Sequence, residues 1–70
     1  MDNKHYKTAS GVQAIDIIDA YDLNFNLGNV IKYACRAGRK AEGIDAKDAA
    51  RADLEKAKFY LLNELKKYQD

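Results

Sequence analysis

The last third of this 70-residue chain carries the pattern that most constrains its fold. Apolar residues recur there at steps of three and four, the spacing that places side chains on one side of an α-helix. They are Ala50, Leu54, Ala57, Leu61, Leu65 and Tyr68. Because no proline interrupts them, the pattern predicts one helix over residues 45–68, about 36 Å long, with this stripe in the core.

Two shorter helices are predicted before the long one. Apolar residues recur at helical spacing in residues 12–22, and again in residues 26–38. Asn24 or Asn26 can cap the start of the second helix. Gly38 suits the left-handed conformation that often follows a helix end. The sequence therefore predicts an all-α fold, a small three-helix domain with a long C-terminal helix.

The chain is expected to form a single domain over residues 1–70, with residues 1–11 as an N-terminal arm. Ser10 is a candidate N-cap for the first helix. A single core of this size is marginal without disulfides, a metal or partner subunits. Cys35 is the only cysteine and is assigned to core packing, so oligomerisation is the remaining source of buried surface. Apolar side chains beside the main stripe of the long helix, at Phe59 and Leu62, also suggest a homo-oligomer.

Positive charge is concentrated in one part of the chain. Residues 32–40 contain four cations and no acid, whereas the whole chain has a net charge of only +1. A general nucleic-acid-binding protein normally has a broadly basic surface, so that class is not expected. No membrane-spanning segment or signal peptide is recognisable. A free thiol without an export signal is typical of a cytosolic protein.

The basic residues of the second helix share one face with an amide and a phenol. Together they are candidate ligand-binding residues: Asn29, Lys32, Tyr33, Arg36, Arg39 and Lys40. Such a face either is solvated or holds a phosphate-bearing ligand, because guanidinium groups bind phosphate through paired hydrogen bonds. Arg36 is central in this face and lies in the last turn, where the helix dipole favours a cation. The dipole can hold it there without requiring a carboxylate partner.

A second polar strip lies beside the apolar stripe of the long helix. It consists of Asp53, Lys56 and Tyr60, at steps of three and four residues. One interpretation is intrahelical ion pairing on a solvated surface. The other is that the strip faces the basic helix, with Asp53 orienting an arginine and Tyr60 forming a wall of the pocket. The sequence leaves both interpretations open.

Two pairs of carboxylates have a spacing that could hold magnesium, namely Asp16 with Asp19 and Asp45 with Asp48. Capping and first-turn charge explain the second pair better, and the first is better explained as solvated or ion-paired. We therefore predict no metal site and no cofactor, and no catalytic residue is assigned.

Several blocks of the sequence resemble the SaV-like family of small phage proteins. The blocks are His5-Tyr6-Lys7, Ile15-Asp16-Ile17-Ile18, the run from Asn24 to Lys40, and the run from Asp53 to Leu61. Members of that family include a phage nucleotide monophosphate kinase that lacks the usual phosphate-binding loop. The resemblance implies a phage origin, action in the cytoplasm of the infected bacterial host, and a nucleotide ligand. It also adds His5 and Tyr6 to the candidate ligand-binding residues, since these side chains can stack on a base or donate to a phosphate.

Three functions follow from these observations. The first is a non-catalytic sponge that binds a nucleotide with two or more phosphates and sequesters a second messenger of bacterial anti-phage defence, such as a cyclic dinucleotide. The second is a nucleotide monophosphate kinase or another phosphoryl-transfer enzyme, which needs a metal held by carboxylates in addition to the cations. The third is a helical inhibitor of a host protein, which makes no special use of the basic face. We favour the sponge.

Overall fold

The computed structural model describes residues 11–39 and 45–69, and these ranges form three helices. Helix α1 spans Ala14–Ala20, α2 spans Phe25–Arg36, and α3 spans Ala46–Leu65 and continues into a 3-10 turn at Lys66–Tyr68. No strand occurs within these ranges. The predicted all-α fold with a long last helix is confirmed, and the helix ends lie within three residues of the predicted ones. Within the same ranges no helix is long and apolar enough to span a membrane.

The start of α1 is stabilised by an acidic side chain in its first turn. The backbone N–H of Gln13, the N-cap residue, donates to Asp16 Oδ2 at 2.7 Å. This is half of the reciprocal arrangement known as a capping box. Asp16 therefore has a structural role, and Ser10, the cap suggested by the sequence, lies outside the described residues.

The two ends of α2 are formed by the residue types that the sequence indicated. Asn24 has an extended backbone, and its Oδ1 accepts the N–H of Leu27 at 2.9 Å, so it is the N-cap. Gly38 has a φ of +78°, which places it in the left-handed region as predicted. At the start of α3, Asp48 contributes negative charge to the first turn as predicted. The predicted cap at Asp45 is not confirmed, because the backbone of Asp45 is already helical (φ −90°, ψ −4°) and its side chain makes no capping hydrogen bond.

Helix α2 is central in the described part of the molecule. It packs against both α1 and α3, and α1 and α3 do not contact each other within the described ranges. Gly28 is buried on the α1 side, where a Cβ at this position would lie 3.5 Å from Cγ2 of Ile18. Pairs such as Arg36 with Asp53 and Asn26 with Glu64 join α2 to α3 and show that these two helices are antiparallel.

The face of α3 that packs on α2 is not the one that apolar spacing predicted. Asp53, Ala57 and Glu64 are buried there, and Tyr60 is half-buried between them. The apolar stripe is instead about half exposed or more: Leu54 54%, Leu61 50%, Leu65 49% and Tyr68 76%. Assignment of these four side chains to the core is therefore wrong, and only Ala57 of the stripe is confirmed as buried.

Polar residues of α2 also face α3. The side that faces α3 carries Asn26, Tyr33 and Arg36, which belong to the polar half of the helix. On the apolar side of α2, Leu27, Val30 and Ile31 are half-buried and Ala34 is exposed. Among the described residues the buried apolar side chains are only Ala14 and Ala57. The two helices are thus joined by polar and aromatic contacts, and the apolar stripe of α3 is largely uncovered.

Candidate functional site

Aromatic rings form the middle of the interface between α2 and α3. Tyr33 of α2 stacks on Tyr60 of α3, with ring centroids 6.0 Å apart and planes within 7° of parallel. The edges of Phe25 and Phe59 pack against Tyr60 at centroid distances of 5.7 and 5.2 Å. Such offset and edge-to-face contacts are favourable geometries for aromatic pairs. Because Phe25 and Phe59 are exposed, this aromatic surface extends to the solvent.

Three cationic side chains converge on the ring of Tyr33. Arg36 Cζ lies 4.9 Å from the ring centroid, Lys32 Nζ 5.1 Å and Lys56 Nζ 5.4 Å. These distances fall within the range of attractive cation–π contacts. Two of the cations come from α2 and one from α3, so the antiparallel packing of the helices assembles the group. We call Tyr33, Tyr60 and these three cations the cation–aromatic cluster.

Asp53 anchors Arg36 in this cluster. Its Oδ1 accepts from Arg36 Nη2 at 2.8 Å and from Nε at 3.2 Å. The two side chains are only 13% and 3% exposed, so this is a largely buried ion pair. Arg36 thus has a carboxylate partner from another helix, in addition to its favourable position in the last turn of α2. The interpretation in which Asp53 faces the basic helix and orients an arginine is confirmed.

The remaining candidate residues are placed differently. Asn29 donates from Nδ2 to the carbonyl oxygen of Phe25 at 2.8 Å, within its own helix. Arg39 lies in the exposed turn after α2, where its backbone N–H donates to Arg36 O. His5, Tyr6 and Lys40 lie outside the described residues. The structure thus brings together six of the candidates, which are Lys32, Tyr33, Arg36, Asp53, Lys56 and Tyr60.

A buried carboxylate that the sequence did not reveal lies at the opposite end of the α2–α3 interface. Glu64 accepts from Asn24 Nδ2 and from Asn26 Nδ2, each at 3.1 Å. Lys67 Nζ lies 3.0 Å from Glu64 Oε1, and Asn63 Nδ2 donates to Asn26 Oδ1 at 3.0 Å. The hydrogen bond from Lys67, followed by those from the two asparagines, lowers the pKa of Glu64, although burial acts in the opposite direction.

One signal in the sequence could have indicated this second polar contact. Asp53, Ala57, Tyr60 and Glu64 follow one another at steps of four, three and four, so they share a face of α3. Extending the Asp53–Tyr60 strip by one more step would have included Glu64. Its partner Asn26 precedes it by 38 residues and was considered only as a cap.

The other sites considered in the sequence have simpler roles. Asp16 accepts a capping hydrogen bond, and no group of three or more potential metal ligands occurs within residues 11–39 and 45–69. Cys35 is a free, half-buried thiol. Chemically, the cation–aromatic cluster offers positive charge beside aromatic rings.

Comparison with known sequences assigns the chain to a family. The family described as DUF3310, proteins of unknown function, matches residues 2–62. The chain belongs to this family. The matched range includes all residues of the cation–aromatic cluster but not Glu64. The description of the family specifies no activity. No significant match was found among curated proteins or among solved structures.

Proposed function

We propose that this protein is a phage nucleotide-binding protein that holds a nucleotide with two or more phosphates at the cation–aromatic cluster. We further propose that it acts as a non-catalytic sponge, sequestering a nucleotide second messenger of bacterial anti-phage defence. The observation that carries the binding proposal is the convergence of three cations on Tyr33, at 4.9 to 5.4 Å from its ring.

The charge of the cluster supports an anionic ligand. Asp53 pairs with Arg36, but Lys32 and Lys56 form no ion pair within the described ranges. Their shared position at one ring puts the two ammonium groups within roughly 10 Å of each other, close to the Debye length at physiological salt. Salt weakens the repulsion between them at such a separation, and both ammonium groups can attract one anionic ligand that lies beside the ring.

The aromatic rings support a ligand that also carries a base. Flat heterocycles stack on tyrosine and phenylalanine rings, and each such contact contributes about 1–3 kcal/mol in single-stranded nucleic-acid complexes. Phe25, 74% exposed, continues the aromatic surface outward from the Tyr33–Tyr60 stack. A ligand with both a base and phosphates matches the cluster better than inorganic phosphate, which uses only its charge.

Arg36 has a different role in this proposal from the one the sequence suggested. Because Asp53 accepts from both Nε and Nη2, the pair fixes the guanidinium beside Tyr33. We assign the direct phosphate contacts chiefly to Lys32 and Lys56. The step from binding to sequestration rests on the resemblance to SaV-like phage proteins.

Isothermal titration calorimetry tests the proposal. Mononucleotides, cyclic dinucleotides and cyclic ADP-ribose isomers are titrated with and without magnesium, and the recovered ligand is analysed by mass spectrometry. We expect submicromolar, magnesium-independent binding of at least one nucleotide, recovered unchanged. Conversion of a monophosphate with ATP and magnesium would instead support the kinase.

Matched lysine variants locate the site. Lys32→Ala and Lys56→Ala should each weaken binding about tenfold, the scale of one charge-assisted hydrogen bond. Lys66→Ala is the control, because Lys66 is an exposed lysine at the C-terminal end of the chain. Equal loss in all three variants, or in none, would place the ligand elsewhere.

A further inference from the structure

The most unusual surface of the molecule is the apolar stripe of α3. Leu54, Leu61, Leu65 and Tyr68 lie along one side of the helix and are each about half exposed or more. At these exposures they present apolar surface on the order of 400 Å², the size of the largest patch found on a typical soluble monomer. We infer that this stripe is the interface through which two copies of the chain form a homodimer.

The small size of the buried core indicates that the fold needs a constant partner subunit for stability. Within the described residues the buried apolar side chains are two alanines, which contribute little hydrophobic free energy. The larger apolar side chains of α1 and α2 are half-buried or exposed. Ordering each residue costs about 1–2 kcal/mol of backbone entropy, so such a core does not stabilise three helices alone. A second copy is available whenever the chain is made, and coupling folding to self-association is common for obligate homodimers.

The spacing of the stripe also fits a second copy of the same helix. Leu54, Leu61 and Tyr68 are seven residues apart, and Leu65 lies one turn after Leu61 on the same side of the helix. A seven-residue spacing of apolar side chains forms a seam on which a second helix can pack. A two-fold interface requires a surface that is complementary to itself, and a repeat of this kind meets that requirement.

The available area is consistent with a stable dimer. A standard interface buries about 800 Å² on each partner, of which the apolar centre is only a part. The stripe supplies about half of that area. Exposed long side chains beside the stripe, such as Lys58, can add to it, because their methylene groups cover apolar surface.

This interface is separate from the cation–aromatic cluster. Positions two residues apart on a helix differ by 200°, so Lys56 lies nearly opposite Leu54 around α3. Tyr60 is likewise 100° from Leu61. A dimer formed through the stripe therefore carries two separate cation–aromatic clusters, one on each subunit. The inference does not depend on a nucleotide ligand.

Two neighbouring leucines provide the test. Leu61 and Leu62 are both 50% exposed, but Leu61 is central in the stripe and Leu62 is rotated 100° away from it. Sedimentation velocity of the full chain should give a dimer at micromolar concentration. Leu61→Glu should raise the dimer dissociation constant at least 100-fold. Leu62→Glu should leave the protein dimeric, because the proposed interface, unlike the one the sequence suggested, does not include Leu62.

If Leu61→Glu does not fold, the unfolding temperature of the unmodified protein tests the inference instead. A dimer whose folding requires association unfolds at a temperature that rises with protein concentration. We expect such a rise between 1 and 100 μM, together with a dimer mass. A monomer mass with a concentration-independent unfolding temperature would overturn the inference, as would equal dissociation by both variants.

Discussion

The two faces of α3 have opposite chemistry, and the polar one is the better buried. Toward α2 the helix presents Asp53, Tyr60 and Glu64, of which the two carboxylates are almost inaccessible to solvent. The other face presents three leucines and a tyrosine at about half exposure or more. Every buried side-chain nitrogen or oxygen in the described residues has a hydrogen-bond partner. Polar groups can thus join two helices when each finds its complement, and apolar surface is left over for another contact.

This comparison also separates two kinds of stabilisation. The polar face contributes mainly through pairs whose members are costly to leave alone, because a buried charge without a partner is strongly unfavourable. The apolar face contributes only when something covers it. Variants on the first face should therefore affect the subunit itself, and variants on the second should affect assembly.

The largest effect is expected for Asp53→Ala. Removing this carboxylate leaves the Arg36 guanidinium in a site that is 13% exposed without the partner it now has. Breaking a buried ion pair in this way typically costs about 3–5 kcal/mol. Urea unfolding at one fixed protein concentration measures the loss.

Glu55→Ala is the matched control for Asp53→Ala. Glu55 is an exposed carboxylate two residues away on the same helix, and its removal should change the free energy of unfolding by less than about 0.5 kcal/mol. If both variants lose the same small amount, the polar face is not the contact that holds α2 and α3 together.

A smaller effect is expected for Asn24→Ala. Asn24 caps α2 through Oδ1 and donates to Glu64 through Nδ2. Loss of an N-cap costs about 1 kcal/mol, and the free energy of unfolding measures it. Asn24→Ser restores the cap but not the donor to Glu64, so it should recover most of the loss. Recovery of nothing would show that the contact with Glu64 matters more than the cap.

The smallest effect is expected from titration of Glu64. Its pKa is lower in the folded protein than in the unfolded chain, so the unfolded chain binds the proton more readily. The contribution of Glu64 to stability is therefore complete above the ordinary glutamate pKa of about 4.3. It is lost as the pH falls below that value and through the lowered pKa of the folded state.

Urea unfolding between pH 6 and pH 3 compares the protein with Glu64→Gln. The variant has no titratable group at this position, so the free energy of unfolding should fall less steeply with acid below about pH 4.3. Parallel curves would mean that the hydrogen bonds to Glu64 do not distinguish its charged form.

Much of the local structure was predictable from the sequence. The three helices, the cap at Asn24 and the left-handed Gly38 follow from residue types whose preferences are local. The spacing of Lys32, Tyr33 and Arg36 also placed them on one face, and the structure brings these three together around one ring. Local rules succeed here because the interactions span only a few residues.

The buried faces were not predictable in the same way. Apolar periodicity identifies a stripe that avoids water, but it does not say whether the same chain or another copy covers it. In α3 the face with Asp53 and Glu64 is buried against α2, and the stripe with Leu54 and Leu61 is left exposed. Complementary partners 17 and 38 residues away in sequence decided the outcome, and no local pattern contains those distances.

The two polar contacts also fix how far α2 and α3 can slide along each other. Arg36 and Asn26 are separated by 10 residues on one helix, and their partners Asp53 and Glu64 by 11 on the other, so the contacts lie about 15 Å apart along the helix axes. A slip of one turn, about 5.4 Å, would break both at once. An interface of leucines would tolerate that slip far better. The register of the two helices, which sets Lys56 of α3 beside Tyr33 of α2, is therefore fixed by one polar contact at each end of the interface.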